Sequence, residues 1–151
     1  MPKKSAVMLS LVCACFIGCG PKTLEERAEA GDAEAQARLG YMYFTGEWMT
    51  GPSSNWGKQG APQDAKEAFK WYRLAADQGL ADAQCALGEM YEKGKGVPQD
   101  YVQAYAWYSL AVRGNYPEMI MDHLPEEMTP GQIARAQELS TELDKKINAA
   151  K

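Results

Sequence analysis

The chain has 151 residues, of which 46% are hydrophobic and 24% are charged, and its formal net charge is −4. This length is sufficient for one domain with its own core. The acidic balance argues against nucleic acid and anionic lipid headgroups as partners, because both are negatively charged. We therefore expect no nucleic-acid-binding function.

The first 18 residues have the organisation of a secretory signal peptide. Lys3 and Lys4 precede an apolar stretch of 12 residues, Ala6 to Ile17. A helix that crosses a bilayer needs about 20 apolar residues, so this stretch is too short for a membrane span. We expect residues 1–18 to be removed from the mature chain.

The end of the signal, Phe16-Ile17-Gly18-Cys19, resembles the lipobox of bacterial lipoproteins, with Phe16 in the place of the usual Leu. The resemblance implies that Cys19 is lipidated and that residues 19–22 link the lipid to the fold. Gly20 rather than Asp after this Cys implies the periplasmic face of the outer membrane in a Gram-negative host. An ordinary cleaved signal is the alternative.

Cysteine usage excludes a disulfide framework in the mature chain. Cys13 and Cys15 belong to the signal and Cys19 to the lipid anchor, so only Cys85 remains. One thiol has no internal partner. Cys85 lies in a helical apolar pattern and is predicted to be a small core residue.

Two segments of the chain occur twice. Residues 31–46 and 79–94 share nine of 16 positions, and residues 60–75 and 96–111 also share nine of 16. The offset is 48 in the first case and 36 in the second, so one insertion at residues 48–59 accounts for the difference. A period of this length indicates stacked helical units. We expect repeat 1 at residues 31–78 and repeat 2 at residues 79–115.

Each unit is predicted to contain two helices. Apolar residues in the first helix recur at the spacing of one helix face. The second helix begins at Asp64 or Asp100, with Glu67 or Gln103 three residues later, in the manner of a capping box. Structural roles are also predicted for the glycines inside the first helices and the aromatic pairs of the second helices: Gly40, Gly88, Trp71, Tyr72, Trp107 and Tyr108.

Three recurring motifs carry a family resemblance. They are Ala-x-Ala-Gln-x-x-Leu-Gly-x-x-Tyr-x-x-Gly, Gly-x-Pro-x-Asp and Ala-x-x-Trp-Tyr-x-x-Ala. Together they resemble the Sel1-like repeat, a relative of the tetratricopeptide repeat. The resemblance implies an all-α, right-handed α/α superhelix of two repeats with terminal capping helices. It also implies a protein–protein adaptor.

The flanks are predicted to be caps of this array. Residues 23–30 form a short charged helix, and residues 116–151 form C-terminal capping helices that begin with a short helix at Tyr116 to Leu124. Thr129, Pro130 and Gln132 together are typical of a helix start. A repeat array needs such a polar terminal face for solubility.

The sequence offers little for catalysis, and we expect no enzyme, cofactor or metal. His123 is the only histidine and has no second ligand at helical spacing, so it is predicted to be a surface residue. The acidic residues are predicted to be caps and solvated helix faces.

The best candidates for partner binding are Trp48 and Trp56 in the insertion, since insertions in repeats map to loops on one face and Trp is enriched in interfaces. Outward residues of the first helices follow, if these helices line a concave surface: Arg38, Tyr41, Glu89 and Lys93.

Three functions stay open at this point. The first is a membrane-anchored adaptor of the bacterial envelope with a protein partner. The second is an immunity-type lipoprotein that neutralises one secreted toxin. The third is a cell-wall hydrolase that uses carboxylates.

Overall fold

A computed structural model describes residues 23–46 and 63–150 of the chain. These residues form six α-helices and no strand. In chain order the helices are α1 (Leu24–Glu29), α2 (Ala33–Thr45), α3 (Ala65–Asp77), α4 (Ala81–Lys93), α5 (Tyr101–Arg113) and α6 (Pro130–Ala149). The all-α prediction is confirmed.

Each helix packs against its neighbours in the chain, and the pairs α2–α3 and α4–α5 have the most extensive contacts. The core between α3, α4, α5 and α6 contains five alanines and seven larger side chains, among them Leu87, Met90 and Trp107. A smaller cluster joins α1 to α2. The small residues allow the helix axes to come close together, so that two-helix units stack in sequence order.

The two first helices, α2 and α4, end in the same way. Gly46 and Gly94 lie in the left-handed region, with φ of 73° and 64°, and cap the last turn. Gly96 also has a positive φ, and a Cβ at this position would lie 2.4 Å from the carbonyl oxygen of Ala65. The turn between α4 and α5 therefore packs against the start of α3 at a distance that only glycine permits.

The N-caps of α3 and α5 differ from the prediction in one half of the motif. Asp64 and Asp100 each accept two backbone N–H groups, as predicted. Reciprocal bonds from Glu67 and Gln103 are not formed, because each Asp N–H instead donates to a carbonyl of the preceding helix, that of Tyr43 or Tyr91. The same amide cannot serve both partners, and the bond to the preceding helix ties the two helices of a unit together.

The segment between α5 and α6 contains no α-helix, so the short helix predicted at Tyr116 to Leu124 is wrong. Two 3₁₀ turns, Glu118–Ile120 and Leu124–Glu127, occupy this region instead. Pro117 and Pro125 lack the N–H groups that a continuous α-helix would use. The predicted start of α6 is confirmed, since Thr129 and Gln132 form a capping box with Pro130 in the first turn.

None of the helices in residues 23–46 and 63–150 is both long and apolar enough to cross a bilayer. The signal peptide, Cys19 and the insertion at 48–59 lie outside the described residues.

Candidate binding groove

The first helices of the two repeats, α2 and α4, form the walls of an open groove of about 630 Å³. This volume lies within the range of about 300–1,000 Å³ that is usual for binding pockets. Residues from α2, α3, α4 and the segment after α5 line it: Glu34, Ala37, Arg38, Tyr41, Phe44, Thr45, Tyr72, Leu80, Asp82, Cys85, Ala86, Glu89 and Tyr116. We call this surface the α2–α4 groove.

The α2 wall presents polar and aromatic side chains that are available to a ligand. Tyr41 is 47% exposed, and among the large hydrophobic residues of the described chain only Leu74 and Met119 are more exposed. Glu34 and Arg38 are exposed and lie one helical turn apart, yet neither forms an ion pair with any residue of 23–46 or 63–150. Ala37 between them leaves room at the base of the wall.

The α4 wall is acidic. Asp82 and Glu89 both line the groove, with Cys85 and Ala86 between them. Lys93 donates to Glu89 across 2.6 Å, and this hydrogen bond raises the pKa of the Lys93 amine. Lys93 itself does not line the groove but adjoins it.

One end of the groove is closed by Tyr116, a residue of the segment after α5. Its hydroxyl donates to Asp82 Oδ1 across 2.7 Å. This hydrogen bond, together with partial burial, raises the pKa of Tyr116 to about 12. The hydroxyl therefore stays protonated at neutral pH and holds the Asp82 carboxylate in place.

The floor of the groove rests on the buried Tyr72 ring. Phe44 meets this ring edge to face, with ring centroids 6.5 Å apart. Lys95 lies 4.9 Å from the centre of the Phe44 ring, on the turn after α4. Burial raises the pKa of the Tyr72 hydroxyl. The floor is thus an aromatic surface that does not ionise near neutral pH.

The structure places three of the predicted partner-binding residues in this groove: Arg38, Tyr41 and Glu89. Lys93 adjoins it through Glu89. Trp48 and Trp56 lie outside the described residues, as does the predicted lipidation site Cys19.

Sequence reasoning missed most of the groove residues, among them Asp82, Phe44 and Tyr116. Asp82 and Phe44 share a helix face with predicted residues, at i−7 from Glu89 and i+3 from Tyr41, so periodicity could have found them. No sequence signal identifies Tyr116, because its contact with Asp82 spans 34 residues.

The glycines singled out as structural lie at the helix crossings. A Cβ on Gly40 would lie 2.8 Å from the Tyr72 ring, and a Cβ on Gly88 would lie 2.6 Å from the Tyr108 ring. Both contacts are too short for any side chain, so each glycine lets the tyrosine of the second helix lie directly on the first helix.

The two tryptophans of the second helices differ in burial. Trp107 is fully buried, and its ring carries the Arg73 guanidinium 4.8 Å from its centre. Trp71 is only half-buried, against the small cluster of α1 and α2.

Two further residues, His123 and Cys85, have side chains of the kind that take part in catalysis or metal binding. His123 is exposed, as predicted, with Nε2 3.1 Å from Glu92 Oε1. Cys85 is half-buried, since it packs against the core cluster of Ala104, Tyr108 and Leu124 and also lines the α2–α4 groove, so its assignment to the core is correct only in part. Burial raises the pKa of the Cys85 thiol. The described residues hold no group of three or more His, Cys, Asp or Glu that could bind a metal ion.

Solved structures with a similar fold are helical repeat proteins. A protective antigen of uropathogenic Escherichia coli with an SLR fold is 31% identical, with a TM-score of 0.71 over 82% of this chain. The chain spans a quarter of the length of that antigen, 25%. A Sel1 repeat protein from Oxalobacter formigenes is 25% identical, with a TM-score of 0.53 over 83% of this chain and 95% of its own.

The comparison with curated proteins finds no significant match. The Sel1 repeat family, in contrast, matches residues 33–55, 54–80 and 81–116, which together are more than half of the chain. The first two matches meet within the predicted insertion, and the third covers α4 and α5. The chain therefore belongs to the Sel1 repeat family.

Proposed function

We propose that this protein is a lipid-anchored adaptor of the bacterial envelope, whose α2–α4 groove binds a segment of a protein partner. Sel1 repeats are protein–protein interaction modules. The observation that carries the proposal is the groove itself, an open aromatic surface with exposed polar groups at its rim. Tyr and Arg are among the residue types that dominate binding energy at protein interfaces, and Tyr41 and Arg38 supply both.

The groove proposal is tested by truncating its exposed side chains. A double variant, Arg38→Ala with Tyr41→Ala, removes two exposed groups without disturbing the core. We expect partner capture from the native host to fall by roughly 30-fold, the loss typical of removing an interface hot spot. The matched control is Arg135→Ala with Leu74→Ala, which truncates an exposed Arg and the 49% exposed Leu74 outside the groove. Equal capture by the two variants would contradict the proposal.

The lipid anchor at Cys19 is tested separately. In Cys19→Ser the acyl chains have no attachment site, and a single module without them has no strong affinity for a membrane. We expect the wild-type protein to fractionate with outer-membrane vesicles and the variant to be released in the periplasmic fraction. Continued membrane association of the variant would rule out anchoring through Cys19.

Trp48 and Trp56 stay predicted partner-binding residues. Thr45, which precedes the insertion, lines the groove. Its carbonyl accepts a hydrogen bond of 2.9 Å from the side chain of Gln63, which follows the insertion. The two ends of the insertion therefore lie together beside the groove. We expect Trp48→Ala with Trp56→Ala to reduce capture of the same partner. Unchanged capture would confine binding to the α2–α4 groove.

Identification of the captured protein separates the adaptor from its two alternatives. An immunity-type lipoprotein binds one toxin and abolishes its activity in a mixed assay, whereas an adaptor binds envelope proteins without inhibiting them. A cell-wall hydrolase would release fragments from purified cell wall, and replacing its catalytic carboxylate would stop this without unfolding the protein.

A further inference from the structure

The tyrosine of the second helix has a hydrogen-bond partner in repeat 2 but not in repeat 1. Tyr72 and Tyr108 occupy matching positions, and the ring of each lies on a glycine of the first helix. In repeat 2 the Tyr108 hydroxyl donates to Glu92 Oε2 across 2.8 Å. The residue of repeat 1 that matches Glu92 is Phe44, whose side chain has no acceptor atom. Repeat 1 therefore lacks the acceptor that this hydroxyl has in repeat 2.

Within the described part of the chain, the Tyr72 hydroxyl has no hydrogen-bond partner, although the residue is only 6% exposed. Its oxygen is still open to solvent, because Trp107 Nε1 is the one fully buried side-chain N or O atom of that part without a partner. Tyr72 lines the α2–α4 groove, and the charges that act on its hydroxyl are those of Glu89 and Tyr41, which also line the groove. The unpaired donor therefore faces the groove.

The unpaired hydroxyl favours a ligand with a neutral acceptor. A largely buried donor without a partner costs free energy, so a ligand that supplies an acceptor there gains affinity. Burial, and after it the charge of Glu89, raises the pKa of the Tyr72 hydroxyl, which therefore stays protonated at neutral pH and acts as a donor. The same negative charge disfavours an anionic acceptor beside the hydroxyl. A neutral carbonyl oxygen is the acceptor that fits.

The rest of the groove also favours an uncharged occupant. Three carboxylates line the groove and three cations line or adjoin it: Glu34, Asp82, Glu89, Arg38, Lys93 and Lys95. The remaining lining includes small or apolar side chains: Ala37, Phe44, Leu80, Cys85 and Ala86. A strongly charged segment gains little from balanced charges, whereas an apolar side chain loses contact with water on such a lining.

We infer that Tyr72 selects the partner of the α2–α4 groove: its hydroxyl donates a hydrogen bond to a neutral backbone carbonyl in an uncharged, apolar segment of that partner. The carbonyl supplies the acceptor that Glu92 supplies in repeat 2. The apolar side chain next to this carbonyl packs on the apolar lining of the groove. This inference rests on the proposed function, since it names the chemistry of the partner of that same groove.

The test uses two small probes, N-acetyl-leucine methylamide and N-acetyl-leucine, with the full chain in mild detergent. The methylamide presents neutral peptide carbonyls beside an apolar side chain, whereas N-acetyl-leucine carries a carboxylate in place of one amide. Carbon-13 labels on the tyrosine rings report binding at Tyr72 by NMR. We expect the methylamide to shift the Tyr72 resonance until the site is saturated. N-acetyl-leucine should bind more weakly, because the Glu89 carboxylate repels its charge.

Two tyrosine variants assign this binding to the unpaired hydroxyl. Tyr72→Phe removes only that hydroxyl and should weaken binding of the methylamide about fivefold, the loss expected for one hydrogen bond. The matched control, Tyr108→Phe, removes the equivalent hydroxyl of repeat 2, which does not line the groove, and should leave affinity unchanged.

Urea unfolding of the same variants gives an independent readout. Tyr72→Phe should have a midpoint equal to or above that of the wild type, whereas Tyr108→Phe should have a lower one. The reason is that only the Tyr108 hydroxyl has a hydrogen bond within the described part of the protein to lose.

Three results would overturn the inference: no shift of the Tyr72 resonance by the methylamide, equal affinity of the wild type and Tyr72→Phe, or tighter binding of N-acetyl-leucine than of the methylamide. Equal weakening of binding by the two tyrosine variants, or an equal loss of stability in both, would also overturn it, because the two hydroxyls would then not differ.

Partner capture distinguishes this failure from failure of the proposed function. If Arg38→Ala with Tyr41→Ala loses the native partner while Tyr72→Phe binds it as tightly as the wild type, the groove binds protein without this hydrogen bond. If all of these variants retain the partner, the proposed function is wrong.

Discussion

The two repeats make the same internal contact and differ in how their outer side is covered. In each, a glycine of the first helix lies against a tyrosine ring of the second, Gly40 on Tyr72 and Gly88 on Tyr108. The equivalent tryptophans then diverge, because Trp107 packs beside the 13-residue α3 while Trp71 packs beside the 6-residue α1. The repeat motif thus determines contacts within a unit, whereas its neighbours determine how deeply a residue is buried.

The groove face shows the second difference between the repeats. Residues at matching positions of the first helices are not the same: Arg38 matches Ala86, and Tyr41 matches Glu89. The positions that face the second helix keep their identity, as Leu39 and Leu87 do. The inner side of each unit is therefore constrained by packing, while the groove side is free to vary.

Replacing Trp71 and Trp107 should have the largest effect on stability and is the most direct test of the difference in burial between the two repeats. Trp107→Ala leaves a large cavity in the core and should lower the free energy of unfolding by about 3–5 kcal/mol. Trp71→Ala should cost less, since part of its surface is already in water. Urea unfolding followed by circular dichroism measures both. Equal losses would contradict the view that the short α1 leaves repeat 1 less well covered.

Replacing the two crossing glycines should have the next largest effect. Gly88→Ala forces a Cβ into the Tyr108 ring, whose hydroxyl is tied to Glu92 across 2.8 Å and cannot easily move. We expect a loss of about 1–2 kcal/mol, the cost of overpacking less the gain in helix propensity. Gly40→Ala should cost less, because its Cβ would be 0.2 Å further from the ring at 2.8 rather than 2.6 Å.

The control for the glycine pair is Gly131→Ala in α6, where an added Cβ meets no atom within 4 Å. This substitution should not destabilise the protein. Unfolding midpoints in urea compare the three variants, and a Gly88→Ala protein as stable as wild type would show that the helix crossing can relax.

Loss of the N-cap should cost the same stability in the two repeats, because Asp64 and Asp100 make the same hydrogen bonds. Asp64→Ala and Asp100→Ala each remove an acceptor of two backbone N–H groups, and each should cost about 1 kcal/mol. Asp64→Asn and Asp100→Asn keep an acceptor oxygen and should cost less than the alanine variants. Thermal unfolding measures the four proteins, and a clear difference between the two repeats would argue against equivalent caps.

A rise in pH to just above 10 should have the smallest effect. Burial raises the pKa of Tyr72 and of Tyr108, and the bond to Asp82 raises that of Tyr116 to about 12. The folded protein therefore retains protons that the unfolded chain releases near pH 10, so the free energy of unfolding falls as pH rises above 10. Tyr108→Phe should make the free energy of unfolding less dependent on pH than Tyr116→Phe does, because Tyr108 is the more deeply buried of the two. Urea unfolding at several pH values measures it.

Much of the fold could be predicted because it follows from local patterns. Apolar spacing identified the face of α4 that carries Leu87 and Met90, and both are fully buried. The start of α6 at Thr129 and Pro130 depends on bonds within four residues. The segment after α5 was mispredicted because its two prolines favour short turns that periodicity does not reveal.

The groove could be predicted only in part. Arg38, Tyr41 and Glu89 share outward positions on the first helices, so helical spacing places them together with no knowledge of the fold. Tyr116 could not be found in this way, nor could the position of Cys85, because both depend on which surfaces other elements leave open.

The amino-acid sequence by itself determined the repeated helix pairs, their caps and the glycines where helices cross, since these depend on bonds and spacings within one unit. Only the tertiary structure decided that Asp64 and Asp100 donate to the preceding helix and that Tyr116 closes the α2–α4 groove over Asp82. The physical reason is that these contacts join residues 9 to 34 positions apart, and the packing of helices against one another, rather than any local preference of the chain, brings them within hydrogen-bond distance.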